Sequence, residues 1–337
     1  MKVALDAMGG DHAPDEVVRG GIAAALDLGI DVALVGEEAA IQSLIGDKTV
    51  PQGLTIHHCT ESIRMDETPL KAVRTKKDAS IRVAFELVKI GQADAVVSAG
   101  NSGAMLAAGV LTLGRLPGVD RPAIAGLFPG ERGTVILIDV GANVDCRPLH
   151  LLQFAVMAHA FAVSCMGMAS PKVGLLSIGE EKGKGNDQVR QAHALLMQSG
   201  LNFVGNIEGR DLLKGEVQIV VCDGFVGNVT LKLMEGMVEM MTGMLVGELS
   251  RSLAGKASLL LGRRGLKRLK TRLDYEEYGG APLLGVNGVG MVCHGGSTAR
   301  AIKNAIGLAA LYVENRVLDK MAAQLGAVKA VSGTPVH

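Results

Sequence analysis

The stretch DAVVSAG, residues 94–100, is a short unbroken apolar run that stops in a glycine loop, and the chain repeats that layout. KVALD (2–6), DVALV (31–35), AIAGLF (123–128), TVILIDVG (134–141), KVGLLSIG (172–179), NFVGNI (202–207) and VQIVVCDG (217–224) read the same way. A strand that is apolar on both faces must be covered on both, which demands a mostly parallel sheet between helix layers. Helical periods fill the intervals. One helix starts at Pro14, with Asp15 and Glu16 in its first turn and a face of Val17, Val18, Gly21, Ile22, Ala25 and Leu26. Others are predicted over 37–45, from about Ser102, and over 149–166, 185–198, 226–250 and 297–325. AIAGLF and TVILIDVG have no helix between them, so an antiparallel pair interrupts the order. No internal repeat or low-complexity linker is visible. The predicted class is a three-layer αβα fold, one catalytic domain over 1–330 that can divide into two lobes, followed by a tail at 331–337.

Charge and composition narrow the function. The 34 basic residues match the 34 acidic ones, which removes a global electrostatic footprint for nucleic acid. No Trp, three Tyr and six Phe leave few platforms on which single-stranded bases stack. The five cysteines (59, 146, 165, 222 and 293) form no CxxC and no zinc-like spacing, and read as reduced, mostly buried thiols of a cytoplasmic protein. MKVALDAMGG is a strand and a loop without an apolar h-region, so no secretory leader is expected. FAVMAHAFAVSCMGM (154–168) is too short to span a bilayer and reads as a buried helix.

The strand ends carry the chemistry. They read DAMGGDHAPD (6–15), SAGNSGA (98–104), DVGANVD (139–145), SIGEEKGKGN (177–186), DGFVGN (223–228) and HGGS (294–297). In open α/β sheets ligands bind beyond the carboxyl ends of strands, and glycine lets an anion approach backbone N–H groups at a helix start. Six such loops in one register favour a ligand site over ordinary turns. The best phosphate cradle is Gly100–Gly103, where Asn101 and Ser102 offer side-chain donors; the plainer reading is a strand–helix turn capped by Ser102. Lys182 and Lys184 sit on a glycine loop beside Glu180 and Glu181, as a cationic arm or a solvated turn. Asp139, Asn143, Asp145, Asp223 and Asn228 suit turn chemistry and capping as well as contact with substrate. His12 and His294 lie among glycines, and His57–His58 read as strand-end residues. No Walker loop, GxGxxG, GxSxG or HExxH is present.

From VALDAMGGDHAPDEVVRGG through SAGNSGA, DVGANVD, EEKGKGN and DGFVGN to GLLGVNGVGMVCHGGS, the chain strongly resembles the bacterial acyl-carrier-protein:phosphate acyltransferases of phospholipid synthesis, the PlsX family. The resemblance implies a fold like isopropylmalate dehydrogenase and phosphotransacetylase, a homodimer, and no metal or organic cofactor. It implies transfer of a fatty acyl group from acyl carrier protein to inorganic phosphate, with the acyl phosphate passing to a membrane glycerol-3-phosphate acyltransferase. In that reaction phosphate is the nucleophile, so the protein must hold a dianion and stabilise an oxyanion, not supply a triad. The expected phosphate-binding residues are His12, Gly100, Asn101, Ser102 and Gly103. Lys184 and Asn186 are expected to act on the charge of the reacting centre, with Asp223 and Asn228 orienting Lys184 or touching substrate. The alternatives are a phosphotransacetylase-like enzyme using acyl-CoA and a non-catalytic scaffold binding carrier protein or membrane.

Two segments lie outside that chemistry. Leu233, Met234, Met237, Val238, Met241, Met244, Leu245 and Leu249 make one helical face, with Met240 beside it, which suits core or a dimer seam; the resemblance favours the seam. LLLGRRGLKRLKTRL (259–273) holds six leucines, six basic residues and no acid, within a basic amphipathic hairpin predicted to protrude over 252–283. Leu259, Leu260, Leu261 and Leu266 suit membrane contact, and Arg263, Arg264, Lys267 and Arg268 suit anionic headgroups or the acidic carrier protein. The protein is accordingly expected in the cytoplasm, peripherally associated with the inner face of the cell membrane.

Overall fold

The computed structural model describes residues 1–46, 51–252, 262, 265 and 278–332. The described residues place eleven strands in one sheet, ordered β3-β2-β1-β4-β11-β10-β5-β6-β9-β7-β8. The strands are β1 (Lys2–Asp6), β2 (Asp31–Gly36), β3 (Leu54–His58), β4 (Ala95–Ser98), β5 (Ala123–Gly130), β6 (Gly133–Ile138), β7 (Val173–Leu176), β8 (Phe203–Ile207), β9 (Ile219–Val221), β10 (Ala281–Leu284) and β11 (Val289–Val292). The central strands are buried on both faces: Val3, Ala4 and Leu5 of β1 and Val135–Ile138 of β6 are wholly covered. That burial follows from their unbroken apolar sequence.

Helices cover both faces: α1 (Asp15–Leu28), α2 (Glu38–Ile45), α3 (Pro69–Thr75), α4 (Ser80–Lys89), α5 (Ser102–Leu113), α6 (Pro148–Cys165), α7 (Asp187–Met197), α8 (Gly224–Ser250), α9 (Ala299–Glu314) and α10 (Val317–Ser332). The predicted single helix over 297–325 is two. Arg316 takes a left-handed φ of 50° between α9 and α10, and the break lets α10 turn back against α6. Helix α6 begins at Pro148, earlier than the run expected to be too short to span a bilayer, and is apolar and long enough to cross a membrane. It is 67% buried, so the expectation of a buried helix holds and that of insufficient length does not. Of the cysteines, Cys59, Cys222 and Cys293 are buried, while Cys146 and Cys165 are partly covered. Burial pushes the Cys59 and Cys293 thiols up to about 12.

The sheet is mostly parallel, but antiparallel steps at β10/β11, β10/β5 and β5/β6 divide it. Strands β3, β2, β1, β4, β11 and β5 run one way, and β10, β6, β9, β7 and β8 run the other. The functional loops therefore do not leave one edge in one register, as expected. They form two rows, one on strands of each direction. Strand β10 also corrects the hairpin boundary: Ala281–Leu284 is an interior sheet strand, so the predicted 252–283 segment ends inside the core. The leucine, arginine and lysine positions 259–261, 263, 264 and 266–268 lie outside the described residues.

Candidate active site

The first row follows the adjacent strands β1, β4 and β11. Asp6 ends β1 and is buried. Ser98, at the end of β4, donates its hydroxyl to Asp6 Oδ2 (2.7 Å) and accepts the Gly100 N–H (3.0 Å). Burial pushes the Asp6 carboxyl above the ordinary carboxylate range, opposed by hydroxyls of Ser80 and Ser98 and by N–H groups of Met8 and Gly9. Only glycine fits at position 9, where a Cβ would lie 2.5 Å from Asp6 Oδ2 and 2.8 Å from Gly100 N. The loop after β11 closes the row, since Asp11 N–H donates to the Gly295 carbonyl (2.8 Å).

Helix α5 starts from this row, but its donors differ from those expected. Asn101, not Ser102, is the N-cap: its Oδ1 accepts the Ala104 N–H (3.1 Å). Its Nδ2 donates to the carbonyls of Met65 (3.1 Å) and Glu67 (3.5 Å). Asn101 and the Gly100 N–H thus build the cradle's wall. Ser102 and Gly103 begin the helix, where the fold leaves N–H groups without an intrahelical acceptor, and the Ser102 side chain is exposed. His12 and His294 are exposed on the loops alongside, and His294 Nδ1 accepts the Gly296 N–H (3.1 Å). His58, by contrast, sits at the end of β3 and takes the Glu38 N–H at the start of α2.

The second row follows the adjacent strands β6, β9 and β7. It repeats the buried-aspartate device. Asp139 Oδ1 accepts N–H groups of Ile124 (3.1 Å), Gly141 (3.2 Å) and Ala142 (3.0 Å), and Oδ2 accepts from the Asn143 backbone (2.7 Å) and amide (2.9 Å). Burial raises this carboxyl too. The loop so folded receives α8. Asn143 O accepts the Gly224 N–H (2.7 Å), Asn228 Nδ2 donates to the Val140 carbonyl (3.2 Å), and Asp223 caps the helix through the Val226 N–H (2.9 Å). Asp223 and Asn228 therefore seat the start of α8. Asn186 does the same for α7 through the Val189 N–H (2.9 Å).

Between the starts of α7 and α8 lies a cavity of about 440 Å³. Leu151, Leu176, Ile178, Val189 and Val226 make it apolar, and Ser177, Asn186 and Asp223 supply polar groups. The Ser177 hydroxyl is buried and meets no hydrogen-bond partner among the described residues, as is also true of polar atoms of Gln188, His193, Asn206 and Tyr312. Lys184 is exposed on the loop above, its backbone N–H bonded to Glu181 O (2.9 Å). Sequence reasoning brought Asn186, Asp223 and Lys184 to one region but missed Asp6, Ser98 and Ser177. The first two were legible as polar residues closing apolar strands; Ser177 was not, because its isolation is a property of packing. Among the described residues no cluster of His, Cys, Asp and Glu could hold a metal ion.

The helix-covered sheet and its two loop rows define a phosphotransacetylase-like αβα fold. A Streptococcus pyogenes phosphotransacetylase superposes with a TM-score of 0.64 at 19% identity, covering 93% of this chain and 94% of that one. The Staphylococcus aureus EutD phosphotransacetylase gives 0.60, again at 19% identity and with the same coverage. These distant likenesses concern the fold. The sequence goes further: the family model described as "Fatty acid synthesis protein" matches residues 1–320. The "Phosphate acyltransferase" of Geotalea uraniireducens is 53% identical over 326 residues, 96% of this chain and 94% of that protein. That of Pelotomaculum thermopropionicum is 50% identical over 329 residues, 98% and 96% of the two chains. The chain belongs to this fatty acid synthesis protein family.

Proposed function

We propose that the protein transfers a fatty acyl group from the thioester of acyl carrier protein to inorganic phosphate. A phosphate oxygen forms a bond to the thioester carbonyl carbon, the carbonyl oxygen takes up negative charge, and the carbon–sulfur bond breaks to release the carrier thiolate and an acyl phosphate. Phosphate binds at the first row, to the Ser102 and Gly103 N–H groups, the Ser102 hydroxyl and His12. The acyl chain enters the apolar cavity of the second row beside Ser177 and Asn186. The transfer requires the thioester carbonyl to lie between the two rows, within reach of both the bound phosphate and Lys184, which stabilises the oxyanion. The observation that carries this reading is the apolar cavity between two helix starts, with Ser177, Asn186 and Asp223 as its polar lining. Its relatives' name, phosphate acyltransferase, supports the same chemistry.

The test is release of free thiol from acylated carrier protein with and without phosphate, repeated with acyl-CoA to compare the two donors. Release that does not depend on phosphate removes the proposal. Lys184→Ala should lower kcat/KM roughly 100-fold, the order expected for losing one oxyanion donor. Unchanged kcat/KM would remove Lys184 from the mechanism.

The protein acts as a homodimer through α8. Leu233, Met241 and Met244 on its apolar face are 61%, 62% and 66% exposed in the single chain, which disfavours the core reading of this stripe. Met234 and Leu249 of the same face are partly covered, Met234 by packing against the core. Leu259–Leu261 and Leu266 contact the inner face of the cell membrane, with Arg263, Arg264, Lys267 and Arg268 on anionic headgroups or carrier protein. Delivery of the acyl phosphate to a membrane glycerol-3-phosphate acyltransferase fits that placement.

A further inference from the structure

Helix α3 stands directly against the first loop row. A Cβ at Gly103 would meet Pro69 Cγ at 2.7 Å, and the Asn101 amide is bonded to the carbonyls of Met65 and Glu67 just before α3. The inner face of α3 is Ala72 and Val73, both buried. Its outer face carries Leu70, Lys71 and Arg74, and the chain continues to Lys77; all four are exposed. Neighbouring charges are neutralised in pairs: Arg64 with Asp66 (3.1 Å), Lys76 with Glu67 (2.7 Å) and Lys89 with Glu86 (3.8 Å). Lys71, Arg74 and Lys77 take no ion-pair partner among the described residues. Met65 and Leu70, 49% and 46% exposed, add apolar surface beside them. A chain with equal numbers of acids and bases thus leaves three unpaired cations and two apolar side chains together at the rim of the phosphate cradle.

We infer that this face of α3 is the docking surface for an acidic protein, the carrier that presents the thioester. The inference rests on the acyl-transfer reading. A substrate tethered to a protein needs that protein held within reach of the site, and complementary charge does this while steering the encounter. The apolar pair gives the docked surface a dry centre inside a charged rim. Single-stranded nucleic acid is a poor match, since the face has no aromatic side chain for stacking. A bilayer pressed on α3 would cover the loops that phosphate must enter. Carrier docking at α3 leaves the leucine-rich segment at 259–273 free for the membrane.

The test uses the full-length triple variant Lys71→Glu, Arg74→Glu, Lys77→Glu. Its KM for acylated carrier protein should rise about tenfold or more at low salt, and the gap from wild type should shrink as salt screens the contact. Its kcat at saturating carrier should stay within about twofold of wild type, and fluorescence titration should show the matching loss of carrier affinity. Lys71→Arg with Lys77→Arg should behave as wild type. Unchanged KM and unchanged carrier affinity would overturn the assignment. So would loss of binding to vesicles of anionic phospholipid with carrier affinity intact, which makes α3 a membrane surface. If wild-type protein releases no carrier thiol with phosphate, the acyl-transfer reading fails instead, and the titration still decides whether α3 docks the carrier.

Discussion

Gly227→Ala and Gly243→Ala are the same substitution in the same helix, and the structure gives them opposite signs. Within a helix, alanine is favoured over glycine by about 1 kcal/mol. At Gly243 nothing lies within 4 Å of the added methyl, so that gain stands. At Gly227 the methyl would overlap the Asp139 carbonyl oxygen, with the carbonyl carbon 2.9 Å away and Cys222 Sγ 3.0 Å away. The obstacle is backbone, and it cannot yield easily, because the Asp139 carboxylate holds the loop through five hydrogen bonds. Overpacking against a fixed wall costs about 3 kcal/mol, which outweighs the helix gain by about 2 kcal/mol. The two variants should therefore differ by about 3 kcal/mol, a factor of more than 100 in the unfolding equilibrium. Urea unfolding of both proteins at one protein concentration measures the difference, and equal m-values would confirm that stability alone changed. A Gly227→Ala midpoint at or above wild type would refute the seating of α8 on Asp139. The variant should also lose transferase activity, since Asp223 and Asn228 belong to the displaced turn.

Three further outcomes follow from the same geometry. A carboxyl whose folded pKa lies above its unfolded value favours the fold at low pH and withdraws that support as pH rises; for Asp6 the ordinary value is 3.8 and burial raises it. The stability of Asp6→Asn relative to wild type should accordingly increase between pH 4 and pH 7, and a difference that stays flat or falls in unfolding midpoints counts against the buried assignment. Met241→Lys with Met244→Lys should yield monomers in sedimentation at micromolar protein, whereas an intact dimer places the seam elsewhere. Replacing Leu259, Leu260 and Leu261 with Glu should abolish flotation with anionic vesicles while thiol release from soluble carrier stays at the wild-type rate; unchanged flotation refutes the membrane role.

Much of this architecture is legible in residue order. Runs such as KVALD and TVILIDVG are buried strands because their interior positions, Val3–Leu5 and Val135–Ile138, are unbroken apolar, and the helix predictions over 149–166, 185–198 and 226–250 fall within two residues of α6, α7 and α8. Strand β3, LTIHH, is half-covered at an edge and gives little pattern. Helix α4 is not among the predicted helices, although Ile81, Ala84 and Phe85 form a buried stripe along it. The two-row arrangement of the loops is of another kind. It depends on β10, β5 and β6 reversing the strand direction, and pairing of β10 with β5 joins Leu284 to Ala123, a relation no local window contains. The role of Asn101 was hidden for a similar reason: its amide is engaged by carbonyls of Met65 and Glu67, which come from a distant loop.

The strand order also sets a timetable for synthesis. Strand β4 has β1 on one side and β11 on the other, and Ala95 pairs with Val289. As the chain leaves the ribosome, β1, β2 and β4 can assemble early, but the outer edge of β4 stays open until nearly all the rest has emerged. At ordinary translation speeds that interval lasts roughly 10–40 s. The waiting edge, AVVS, is apolar but for its last residue and carries no charge, and is therefore a template for pairing with another nascent chain. A protein shortened before β11 would keep that edge permanently, and should collect as aggregate in place of a smaller folded lobe.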